Sequence, residues 1–226
     1  MSDHSFFREV DEAVRQDRYK ALWDKYGVYI LVLAGLIVVG VAAHRGWAYW
    51  QEHRAQQAGA EFTQALALEA GADQAKAQEA FAALAENGPA GYRVLARFQL
   101  AALEAKAGET EKAVAAYDAL AADASVDKIL KGLATLQAAA LRLDSADYAE
   151  MERRLKGLAG DDSAWRFSAR ELLGLSAYRH NDMRGAEQQF SALLSDQATP
   201  PNLRERANVM LALIVGGQPA QGPTTN

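Results

Sequence analysis

Between Lys25 and the His44-Arg45 pair lie eighteen residues, Tyr26 to Ala43, none of them charged at neutral pH. In a helix rising about 1.5 Å per residue they cover roughly 27 Å, close to the ~30 Å hydrocarbon core of a bilayer. Ten of them are Leu, Ile or Val. Each such residue favours insertion by roughly 0.3–0.6 kcal/mol near the centre of a span. The core helix of a soluble domain would keep a polar stripe over this length, and this segment has none. A transmembrane helix over residues 26–45 is therefore the first constraint on the chain.

The flanks orient it. Arg8, Arg15, Arg18, Lys20 and Lys25 precede the span, whereas only Arg45 and Arg54 follow closely. Positive residues are retained on the cytoplasmic side, so residues 1–25 are expected in the cytoplasm and those after Arg45 across the membrane. Tyr26 and Tyr29 at one edge, and Trp47, Tyr49 and Trp50 at the other, read as interfacial belts, because amphipathic rings favour the headgroup layer. The alternative is a cleaved signal peptide, for which Val41-Ala42-Ala43 would serve as the cleavage site. The 25 polar residues ahead of the span, and the length of the apolar run, favour an uncleaved anchor.

The 181 residues after Arg45 carry 18 Lys and Arg against 23 Asp and Glu. That length suffices for one domain with its own core. A mildly acidic surface with no basic tract argues against nucleic acid as the main ligand. The absence of cysteine excludes disulfides and thiol catalysis. Ala, Leu, Glu and Gln dominate, all helix formers, and no segment alternates as a strand would. The expected fold class is all-α.

Self-comparison shows an order within it. Ala77, Phe81 and Leu84, then Ala113, Tyr117 and Leu120, then Ala186, Phe190 and Leu193 share one four- and three-residue spacing, which puts each trio on one helix face. Ala77 to Ala113 is 36 residues, and Ala113 to Ala186 is 73, two further periods. The intervening unit near 149 is degenerate: Arg153 and Lys156 stand where Phe and Leu are due, while Met151, Leu155 and Leu158 form a shifted stripe. An amphipathic helix precedes each of these, with small Ala101 or Gly174 near its middle and Gly108 or Asn181 at its end. Helices are expected near 6–24, through the span to about Ala70, and near 73–87, 91–107, 110–123, 126–144, 146–159, 163–180, 183–196 and 200–215. Thr110, Ser145 and Ser163 are the expected N-caps, and Thr199-Pro200-Pro201 a helix start. Paired helices at this period cannot bury their apolar faces alone, so they stack into a right-handed superhelix with a concave surface.

Ala101, Gly108, Ala113, Tyr117 and Leu120, with Gly174, Ala186, Phe190 and Leu193, resemble the tetratricopeptide repeat pattern, although Arg97 and Arg170 occupy the usual aromatic position of the first helix. The N-terminal FFREVDEAVRQDRYKALWDKYG, the single span and GWAYWQ, with Trp23, Tyr26, Gly27, Trp47, Tyr49 and Trp50, extend the likeness. Over roughly residues 5–215 the chain resembles the bacterial ancillary SecYEG translocon subunit family, whose repeat domain is shared with cell-division coordinator proteins. The resemblance implies a single-pass inner-membrane protein with residues 1–25 cytoplasmic and a periplasmic tetratricopeptide-like α-solenoid at 46–215; the tail at 216–226 has nothing to bury and is expected to be disordered. It also implies association with the Sec translocon and with periplasmic chaperones during protein export. An envelope structural or cell-division adaptor built on the same scaffold is the alternative.

Nothing in the residues points to catalysis. His4, His44, His53 and His180 lack metal-ligand spacing, and no phosphate-binding loop or nucleophile signature occurs. No cofactor, metal or small-molecule substrate is expected, and the partners are expected to be proteins. Asp161-Asp162 reads as a loop and helix start, and Glu150, Glu152, Arg153 and Arg154 as a solvated face. The aromatic stripe reads as solenoid core. First helices usually line the concave face of such stacks, which makes Tyr92, Arg93, Arg97, Arg166, Arg170 and Tyr178 the candidate partner groove, suited to peptide carboxylates or acidic segments.

Overall fold

The computed structural model of the chain describes residues 3–71 and 73–217. Every regular element among them is an α-helix, as the composition requires. The chain divides into two compact units, residues 1–57 and 58–226.

The first unit belongs to α1 (Asp3–Ala70). Among the described residues it contains the one stretch long and apolar enough to cross a membrane. Val28, Leu31, Leu36, Val39 and Val41 are 56–70% exposed, so no core of the chain covers this stretch, which makes it a candidate membrane span. Gly27 is buried under the Trp23 indole, 3.3 Å from where a Cβ would sit. The helix expected at 6–24 is part of α1, and most of the side chains that would make its amphipathic face lie outside those described. Residues 218–226 of the expected tail also lie outside, while Gly216 and Gly217 close the last helix.

The second unit pairs residues 58–70 with α2 (Gln74–Asn87), α3 (Ala90–Lys106) with α4 (Thr110–Ala122), α5 (Lys128–Arg142) with α6 (Tyr148–Leu155), and α7 (Arg166–Arg179) with α8 (Met183–Ser195), and ends in α9 (Pro201–Gly217). Each helix from α2 onward packs on the next, and α5 on α7 and α7 on α9 add contacts between first helices of successive pairs. The repeated stripes fall inward: Ala77, Phe81, Leu84, Ala113, Tyr117, Leu120, Ala186, Phe190 and Leu193 are all buried. Full burial of a side chain such as Phe81 or Phe190 stabilises by roughly 1.5–3 kcal/mol. Four successive clusters run along the stack; the first, second and last are built on these stripes, and the third on Met151 and Leu155. Small residues let the helices close: a Cβ on Gly174 would meet Phe190 Cζ at 2.9 Å.

The helix ends follow cap chemistry, with corrections. Gly108 (φ 79°) and Asn181 (φ 64°) adopt the left-handed conformation that ends α3 and α7. The expected N-caps Thr110, Ser145 and Ser163 are not caps. Asp147 takes the place of Ser145, accepting from Glu150 N at 2.7 Å, while α4 and α7 start without a side-chain cap; aspartates likewise cap α5 and α8, Asp127 accepting from Ile129 N at 2.8 Å and Asp182 from Gly185 N at 3.0 Å. A carboxylate both accepts the orphan N–H and complements the helix dipole. Thr110 begins α4 itself, after Glu109. Ser145 lies in the turn before Asp147, and the Ser163 hydroxyl accepts from Trp165 N in the loop before α7.

The degenerate pair has the expected slipped register. Met151 and Leu155 are fully buried, whereas Ala149, Arg153 and Lys156 are exposed. Helix α6 has only eight residues, against the thirteen of α4 and α8. The indole of Trp165 fills the space beside it: its Nε1 donates to Ile129 O at 2.9 Å and lies 2.6 Å from where a Cβ on Gly132 would sit.

Candidate functional site

The candidate groove residues divide between α3 and α7, with α5 between them, and do not converge on one pocket. Tyr92 is half-buried in the first cluster, its ring 6.0 Å from that of Phe62 and its hydroxyl over Gly59. Tyr178 is half-buried against the last cluster. Arg93 and Arg97 share a cavity of ≈ 270 Å³ with Asp123 and Ser125. Arg93 is exposed and has no ion-pair partner among the described residues, whereas Arg97 Nη1 donates to Asp123 Oδ2 at 2.7 Å. On α7, Arg166 Nε donates to Asp196 Oδ2 at 3.1 Å with its guanidinium 4.0 Å from the centre of the Phe167 ring. Arg170 donates to Asp161 Oδ1 at 2.5 Å and to Ala159 O at 3.1 Å.

Asp123 and Asp196 are 73 residues apart, the same repeat interval as Ala113 and Ala186. Each ends a second helix, and each accepts from a backbone N–H two residues on, Ser125 or Ala198, at 2.9 Å. Each also receives a guanidinium from its own first helix. The Arg97 guanidinium and the Ser125 hydroxyl and N–H hold the Asp123 carboxyl well below the usual carboxylate range. The Ala198 N–H, then Arg166, lower that of Asp196. These arginines therefore brace helix pairs. Arg93 is the candidate that still offers free donors.

Glu150 and Arg154 are not a solvated face. Arg142 donates to Glu150 at 3.2 and 3.3 Å and to Glu111 at 2.6 Å, while Arg154 donates to Glu150 at 3.1 Å and to Asp118 at 2.6 and 3.1 Å. Arg142 first, and Arg154 with it, lower the Glu150 carboxyl. This network ties α4, α5 and α6. Glu152 and Arg153 are exposed, as expected. Asp161 and Asp162 lie in the loop ahead of α7, with Asp161 held by Arg170.

At the other unit, Tyr26, Tyr29, Trp47, Tyr49 and Trp50 are all exposed. Lys25 lies 5.4 Å over the Tyr26 ring, Arg54 4.9 Å over Trp50, and Trp47 and Trp50 are 5.2 Å apart. These cation–ring pairs present apolar bodies with charged tips, the form suited to a membrane–water boundary. His53 stacks on Tyr49, and His180 Nδ1 lies 2.8 Å from Ser176 O at the end of α7. Among the described residues no cluster of His, Asp or Glu is arranged to hold a metal ion.

One surface escaped the sequence reading, the cleft between α7 and α9 lined by Leu175, Val209 and Met210. The spacing of Val209 and Leu213 was a signal for it, but an apolar pair in a last helix reads equally as core.

Set against known proteins, residues 20–211 match the tetratricopeptide repeat-like domain family. The chain belongs to this family. Its tetratricopeptide repeat-like stack is thus both a matched pattern and an observed arrangement of helices. The ancillary SecYEG translocon subunit of Escherichia coli (strain K12) is 29% identical over 173 residues, which cover 74% of this chain and 81% of that protein. No solved structure matches the chain.

Proposed function

We propose that the chain is a membrane-anchored protein-interaction scaffold that works beside the Sec translocon during protein export and meets periplasmic chaperones there. The observation that carries this reading is the joining, in one polypeptide, of an exposed apolar span and a tetratricopeptide repeat-like stack. The similarity to an ancillary SecYEG translocon subunit supports the choice of partner. In this reading the span crosses the inner membrane once, the N-terminus is cytoplasmic, and the repeat domain is periplasmic. The scaffold holds proteins and catalyses nothing. Tethering raises the effective concentration of a membrane neighbour toward the millimolar range, so a weak groove suffices.

Arg93, with Arg97 at the rim of their shared cavity, and Tyr92, Arg166, Arg170 and Tyr178 beside it or in the α7 repeat, remain the proposed partner-facing set. The test is in-cell photocrosslinking from positions 93, 97, 166 and 170 of the full-length chain, read by mass spectrometry. Translocon and chaperone peptides are the expected products. Crosslinks confined to division or cell-wall proteins would replace this reading with the envelope-adaptor one. Protease cleavage of the repeat domain from the cytoplasmic side would overturn the topology.

A further inference from the structure

The outer face of a terminal solenoid helix is normally polar; α9, the last described helix, keeps an apolar patch on its exposed face. Leu203, Ala207 and Ile214 turn into the core, but Val209 and Leu213 are 56% and 51% exposed. Val209 and Met210 of α9, with Leu175 of α7, floor a cleft of ≈ 500 Å³ whose walls are Glu171, Glu205 and Arg206. Arg206 is committed to Glu171, through Nε at 2.6 Å and Nη2 at 2.9 Å. Glu205 is exposed and has no ion-pair partner among the described residues. The cleft is thus an apolar floor with one uncompensated negative charge at its edge. Residues 218–226 contain no Leu, Ile, Val, Met or aromatic side chain that could cover it.

We infer that this cleft and the Val209–Leu213 stripe dock an amphipathic helix from a protein partner, one that carries two apolar side chains a turn apart and a Lys or Arg placed against Glu205. A helix is the fitting shape because the exposed stripe repeats at four residues, the ridge spacing that a second helix interlocks with. The first helices α3, α5 and α7 are each already packed against the second helix of their pair, and residues 58–70 share a core cluster with α2 through Phe62 and Phe81. An added strand would find no unpaired backbone donors along α9. The basic flank follows from charge complementarity at the rim. The inference rests on the interaction-scaffold reading and names where and what that scaffold grips.

The test uses the full-length chain in lipid nanodiscs and three labelled synthetic peptides, followed by fluorescence anisotropy. One is an amphipathic helix with Leu at i and i+4 and Lys flanks, one has Glu flanks, and one has a proline in the middle. The Lys-flanked helix is expected to bind saturably, and the other two at least about tenfold more weakly. Val209→Glu or Leu213→Glu should weaken the Lys-flanked peptide by about tenfold, and Glu205→Lys should reverse the preference between flanks. Absence of saturable binding, equal binding of both flank charges, or binding unchanged in Val209→Glu would overturn the proposal. So would a concentration-dependent dimer of the chain that Val209→Glu abolishes, which would give this face to a second copy. Glu205→Lys changes only an exposed charge and keeps the test decisive should an apolar-to-charged variant unfold. Translocon crosslinks without peptide binding would remove this inference alone. Peptide binding without translocon crosslinks would remove the translocon reading and leave the cleft.

Discussion

The α7–α8 and α5–α6 pairs occupy equivalent places in the stack and are held by different forces. In α7–α8 the Phe190 ring lies against Gly174, and Ala186 and Leu193 complete a buried stripe. In α5–α6 the second helix has Arg153 and Lys156 where the aromatic and the leucine would stand, and it buries Met151 and Leu155 instead. Trp165, brought in by the following loop, lies on Gly132, and a shared set of guanidinium–carboxylate bonds ties α6 to α4 and α5. A repeat can therefore lose its consensus side chains and keep its place, provided a bulky ring and a satisfied polar network supply the lost adhesion. The apolar solution depends mainly on packing, with the Arg166–Asp196 pair as an ionic brace. The substituted one depends on a particular tryptophan and on ionised carboxylates.

The largest effect should come from the apolar pair. Phe190→Ala is expected to cost about 3–5 kcal/mol in urea unfolding of the domain, because the cavity opens beside a glycine that cannot fill it. Gly132→Ala should cost about 1–3 kcal/mol, since the new methyl occupies the space of the Trp165 indole. That loss should come with a red shift in Trp165 emission, and it should be strongly non-additive with Trp165→Ala. An additive result would mean that the ring does not hold the degenerate pair in place. Arg154→Ala removes donors from Glu150 and Asp118 and, at a partly solvated site, should cost about 1 kcal/mol. The corresponding loss in α7–α8 has no counterpart in its buried stripe.

The smallest effect is a pH dependence. Asp123, Glu150 and Asp196 have folded-state pKa values below their ordinary ones. A depressed carboxyl contributes stability that is fully present above its unfolded-state pKa, about 4, and is lost as pH falls through the lower folded-state value. The melting temperature should thus be flat from neutral pH down to about pH 5 and fall below about pH 4. Asp123→Asn should shrink that fall without changing its direction. An acid limb identical in Asp123→Asn would remove the Arg97 pair from the account.

Periodicity made much of this legible. The Ala-aromatic-Leu trios, the shifted Met151–Leu155 stripe and the helix ends at Gly108 and Asn181 could all be read along the chain, because a helix face and a left-handed residue are local properties. The N-cap was misread at Ser145 because serine and aspartate compete for the same job within three residues, and only the turn geometry selects Asp147; at Ser163 the helix starts later, after Trp165, with no side-chain cap. The aspartate partners of Arg97 and Arg166 could not be read along the chain, because a long cation on a first helix looks free until the residue it meets is known. Asp123 is 26 residues from Arg97, and Asp196 is 30 from Arg166.

The order of the residues along the chain was enough for a membrane-spanning helix and a stack of paired helices, since hydropathy and a 3.6-residue period act within a single segment. Folding in three dimensions decided which charges cancel, which ring replaces a missing stripe and where an apolar cleft stays open. Those outcomes depend on distances between helices that lie a full repeat apart in the chain, and no local pattern encodes such a distance.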